Sequence, residues 1–152
     1  MTGELQTNGS NYWLLNLLGP VYPAIRAGKP SLFWDSTPAW MNASSQFNYF
    51  SDASNGYISG EVIDIRKGSF SSGKGGTNVR YSELSERLPY LGIQAGDIMY
   101  FYNQEEGVHH ATVITKVEDA EIYYAGNSLN RFDRPLTGAV EEDGGVVIVR
   151  LR

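Results

Sequence analysis

Along the first fifty residues the apolar positions recur at helical spacing. "SNYWLLNLLG" (residues 10–19) is an apolar run that Ser10 or Asn8 can cap and that Gly19 and Pro20 stop, so it predicts a helix. "PVYPAIRAGKP" holds three prolines and predicts a linker across the surface. "PAWMNASSQFNYF" sets Trp40, Phe47 and Phe50 close to helical spacing, which predicts a second helix with one buried face. From residue 57 the period falls towards two. In "YISGEVIDIRKG" Val62 and Asp64 alternate with Ile63 and Ile65, and "GDIMYFYN", "HHATVITKV", "AEIYYAG" and "GGVVIVRLR" are four further strands separated by Gly- or Asp-rich turns. Between them "GSFSSGKGGTN" reads as a Gly/Ser loop, and "YSELSERLPYLG" as a short helix capped by Ser82 and closed by Pro89. Helices first and an antiparallel sheet afterwards predict an α+β fold. There is no internal repeat, and residues 1–9 are polar and expected to be loose.

Composition narrows the picture. The chain has 152 residues, a length that predicts one domain over 1–152 with a sizeable core. An apolar fraction of 41% with ten tyrosines marks a folding chain, not a disordered one. The net charge of −5 gives no electrostatic footing for nucleic acid or an anionic membrane surface. No apolar run reaches the roughly 20 residues a membrane span needs, and "MTGELQTNGSNYW" lacks the pattern of a signal peptide. There is no cysteine, which removes disulfides and thiolate metal sites.

The candidate chemistry is sparse. "GSFSSGKG" approaches a phosphate loop, but Gly75 stands where a magnesium-binding Ser or Thr belongs and "GGTNVRYS" is turn chemistry. The segment 68–78 is therefore expected to be a mobile loop that binds no nucleotide, and no cofactor is expected. His109 and His110 are the only histidines; neighbours on a strand point to opposite faces, so they make a poor metal pair, and Glu105 and Glu106 belong to a turn. The face carrying His109, Ala111, Val113, Thr115 and Val117 looks drier than the one carrying His110, Thr112, Ile114 and Lys116. A strand histidine is more often structural than catalytic. Against that stands Asn127, 17 positions after His110 and just past the next strand, where an antiparallel partner can bring an amide oxygen to an imidazole N–H.

"AGDIMYFYNQEEGVHHATVITKV" followed by "IYYAGNSLNRFDRPL", together with "FWDSTPAWMNASSQFNYF", resembles the amidase-domain family of bacterial proteins similar to papain-like and NlpC/P60 cysteine peptidases. The likeness spans about residues 28–136. It implies a papain-like fold with N-terminal helices packed on an antiparallel sheet, and hydrolysis of an amide bond in a peptide, peptidoglycan stem or protein. The family's general base falls on His110, and its orienting residue on Asn127. The nucleophile falls on Gly9, in "NGSNYWLLNLL" at a helix start, where a thiol would be activated. Gly9 offers no nucleophile, and the adjacent Ser10 reads as a cap. Three accounts stay open: a cysteine replaced deliberately, a natural pseudoenzyme, or a nucleophile outside this chain. Under each, this chain is expected to be inactive. The resemblance further implies a secreted or cell-envelope setting, a role among bacterial toxins as one option, and a cognate inhibitor protein as a partner. The alternative is a non-catalytic peptide- or ligand-binding module. Trp34, Trp40, Tyr100 and Tyr102 can line a cleft, but core packing is the expected job of these aromatics.

Overall fold

The structure is a computed structural model that describes residues 42–52, 61–74, 76–126 and 131–150. The helix expected over 10–19, the proline linker, Trp34, Trp40, Gly9 and Asn127 lie outside the described residues. Two helices and seven strands are described: α1 (Ala43–Phe50), β1 (Glu61–Arg66), β2 (Thr77–Arg80), α2 (Leu84–Leu91), β3 (Ile98–Asn103), β4 (Gly107–Glu118), β5 (Glu121–Gly126), β6 (Arg131–Pro135) and β7 (Gly145–Arg150). They make a small α+β domain on one seven-stranded sheet of order β2-β1-β7-β3-β4-β5-β6.

The sheet is mixed, which corrects the all-antiparallel expectation. β3 to β6 form an antiparallel meander and β7 inserts antiparallel between β1 and β3, but β1 and β2 run parallel. The second parallel strand comes from "TNVR", inside the stretch expected to be loop. Its Val79 is buried on the sheet, and that burial outweighs the turn-like neighbours. Ser71 and Ser72 of the stretch are fastened as well. Asp64 is 1% exposed; its Oδ2 accepts from the Ser71 hydroxyl at 3.1 Å, the Ser72 amide at 3.1 Å and the Ser72 hydroxyl at 2.9 Å. The Tyr102 hydroxyl donates to Oδ1. Burial, and then that carboxylate, hold the Tyr102 hydroxyl far above the ordinary phenol range. A buried carboxylate needs its lone pairs filled, and the serines of "FSS" fill them. The loop leads into a strand and not a helix, so it lacks the strand–loop–helix order of a phosphate loop.

Each face of the sheet has its own core. On one, α2 lays Leu84, Leu88 and Leu91 over Ile63, Ile65, Met99, Ile148 and Ile122. On the other, α1 sets Phe47 and Phe50 against Tyr100, Tyr102, Val147 and Val149. Phe47 and Tyr100 stand 5.3 Å apart between ring centroids, so Tyr100 and Tyr102 are core residues, as expected of these aromatics. Asn42 caps α1 through the Ser45 amide. At α2 the expected boundaries move: Ser82 lies in a 3-10 turn (Tyr81–Glu83) and does not cap. Pro89 sits inside the helix, which runs on to Leu91 and stops at Gly92 in the left-handed conformation (φ 63°). A proline that late still leaves its leucines on the core face, and Gly92 makes the stop.

Candidate functional site

Position on the sheet decides what each histidine can do. His110 is the register partner of Phe101, so it shares the α2 face with Phe101 and Tyr124. Its ring lies 6.2 Å from the Phe101 ring, which in turn meets Tyr124 at 5.3 Å. On the same face Thr112 pairs with Gly126 of β5. A Cβ on Gly126 would come within 3.1 Å of Thr112 Cγ2 and 3.2 Å of His110 Nε2. The imidazole edge therefore rests on bare backbone at the end of β5. Alternation puts Gly126 on His110's face, so an orienting Asn127 would need the chain to turn after Gly126.

The face assignment reverses one expectation. Thr112 and Ile114 are buried, whereas Val113 is 41% exposed. The drier side of β4 is thus the His110 side. Register breaks at His109 against β3 and at Thr115 against β5, and each bulge flips the parity of the residues beyond it, bringing Val117 back to the α2 core.

His109 occupies the first bulge and meets a polar cluster. Its Nδ1 lies 3.1 Å from the Gly107 carbonyl oxygen and 3.8 Å from Glu106 Oε2. Its Nε2 lies 3.4 Å from Glu141 Oε1. Asn103, buried, holds that carboxylate through Nδ2 at 2.8 Å and accepts the Glu106 amide at 2.7 Å. Glu141 arrives from the loop before β7, 32 residues past His109, and no sequence spacing signals it. Among the described residues no group of His, Asp and Glu is arranged to hold a metal ion.

The electrostatic consequence falls on His110. Burial, and then the charge of neighbouring His109, hold its pKa below the ordinary 6.5 of an imidazole. At neutral pH it is an uncharged ring, one nitrogen able to accept a proton and the other to donate a hydrogen bond. Such a group can act as a base, or hold a polar ligand group, beside the end of β5.

Comparison with family models, with curated proteins and with solved structures found no match. No helix among the described residues is long and apolar enough to cross a membrane.

Proposed function

We propose that this is an amidase-like domain of the papain and NlpC/P60 type whose base, His110, is retained and whose nucleophile is missing. In this form it engages a peptide, peptidoglycan or protein amide without cleaving it. The observation that carries the reading is the state of His110: half-buried at the start of a strand, kept neutral at pH 7, with its ring edge against the bare backbone of Gly126. One described helix, α1, precedes the sheet, and a largely antiparallel sheet follows it, an order such a fold can accommodate. α1 packs on the face opposite His110, so in this reading the segment carrying Gly9 must reach the His110 face. Asn127 is the orienting amide, and an inhibitor protein covering the same site is the expected partner of an active, secreted parent.

A thiol restored at Gly9 would attack the amide carbonyl carbon, and protonated His110 would pass its proton to the departing amine nitrogen. The test is therefore Gly9→Cys. Its thiol should react with iodoacetamide faster than a free cysteine at mildly acidic pH, and added His110→Ala should abolish the enhancement. Enhancement lost with His109→Ala and kept with His110→Ala would move the base to His109, which has Glu141 as its carboxylate partner. A thiol of ordinary reactivity in Gly9→Cys would sink the amidase reading. The binding-module reading would then be tried by titrating peptides onto the His110 resonances.

A further inference from the structure

The two parallel strands end side by side, and their chains then part. After β1 the chain turns onto the α1 face, where the Phe70 ring packs tilted against Tyr102, 5.9 Å between centroids, and Ser71 and Ser72 bind Asp64. After β2 it turns to the other face, into the 3-10 turn and α2. Connections that leave adjacent carboxyl ends towards opposite faces open a crevice between them, the place where parallel sheets commonly receive ligands. Here the crevice has a volume of about 860 Å³ and is lined by Arg66, Lys67, Ser69, Arg80, Tyr81 and Ser82, with Glu83 the one carboxylate among the described lining residues. Gly68 also lines it and packs against the loop before β7, where a Cβ would come within 2.8 Å of the Glu142 carbonyl oxygen.

The charge pattern is the second observation. Arg66 and Arg80 are direct partners in the parallel ladder, in a chain whose net charge is −5. Like charges directly opposite one another destabilise a sheet. A lone cation on edge strand β2 would serve to discourage edge pairing, but that does not account for a cation on its inner neighbour and another at Lys67. The counter-charges in place are weak. Arg66 Nε lies 3.8 Å from Asp64 Oδ2, an oxygen already occupied by the serines, and Arg66 also donates to Asn78. Lys67 meets Glu142 at 2.6 Å, but that carboxylate's side chain is 88% exposed, a surface pair that a bound anion can replace. Arg80 is exposed and has no acidic partner among the described residues.

We propose that this crevice binds an oxyanion, the phosphate or carboxylate group of a ligand. Arg80 and Arg66 present forked donors, Lys67 a point charge, and Ser69 and Ser82 hydroxyls complete the shell. This site is separate from His110 and does not depend on the amidase reading. The experiment is an amide ¹H–¹⁵N titration of the whole chain with sodium phosphate and, separately, sodium acetate, at ionic strength held constant with sodium chloride. Saturable shifts at residues 67–69 and 80–83 are expected with at least one anion. Phosphate alone would indicate a phosphorylated ligand, and acetate at comparable strength a carboxylate. Arg80→Ala should weaken the binding by about tenfold or more, with Arg80→Lys between it and the parent. Because Arg80 is exposed, the remaining spectrum should be unchanged. Absence of saturable shifts with both anions would overturn the proposal, and so would binding that survives both Arg80→Ala and Lys67→Ala.

Discussion

His110 and His109 are adjacent in sequence and opposite in situation. His109 reaches Glu141, whereas His110 lies against Phe101 and Gly126. The depressed pKa of His110 has a defined sign in stability. Above 6.5 both the folded and unfolded forms of this imidazole are neutral and it contributes no pH dependence. Below 6.5 the unfolded chain binds the proton more readily, so stability falls as pH drops from 6.5 through the lower folded value. In an NMR titration His110 should therefore protonate below 6.5. His109→Ala should raise its pKa by removing the second of its two causes, leaving the burial effect in place. A His110 that titrates at or above 6.5 in the parent chain would contradict this account. Gly126 carries no signal in the sequence pattern, because its use is to lack a side chain where a ring from another strand comes close.

At the scale of elements, the β4–β5 hairpin turns through Asp119 at φ 51° and Ala120 at φ 60°. Two positive φ values make a two-residue turn of the kind whose twist suits paired strands, and glycine is the residue that reaches it without cost. Ala120 holds the left-handed conformation with a Cβ, a strain of about 1–2 kcal/mol. Ala120→Gly is expected to stabilise the protein by about 1 kcal/mol, less what glycine loses in unfolded-state entropy, read as a rise in urea midpoint with unchanged slope. A lower midpoint would show the turn to be unstrained. The same scale explains which elements the pattern does not predict. β2 and β6 are edge strands of four and five residues rich in polar side chains, and such segments carry no period to read. α1 and the long apolar strands are legible because burial of one face imposes the period directly.

The whole molecule depends on its last described strand. β7 joins β1, with its parallel partner β2, to the meander of β3 to β6, and both of its faces are buried. Ile148, fully buried in the α2 core, pairs with Ile63 on one side and Met99 on the other. Ile148→Ala should cost about 2–5 kcal/mol, a large share of the roughly 5–15 kcal/mol that holds a domain together. The loss should appear on both sides of β7: amide exchange in β2 and in β5 should accelerate together, since neither half keeps a closed core without β7. Faster exchange confined to one half would mean that the halves fold independently.

The sequence by itself determined the one-faced helix α1 ahead of the strands, the places of β1, β3, β4, β5 and β7 along the chain, and the identity of the only two imidazoles. These come from local spacing, because burial of a face is written at intervals of two or about 3.6 residues. Only the tertiary structure decided that β1 and β2 run parallel, that Asp64 fastens the Gly/Ser loop, and that the register with β3 sets His110, Thr112 and Ile114 on the buried side of β4 while a bulge displaces His109. It alone brought Glu141 to His109 and set Arg66 beside Arg80. Each of these is a contact between segments well separated along the chain or a one-residue slip in register. Register is set by the partner strand, and no residue carries it in its own neighbourhood.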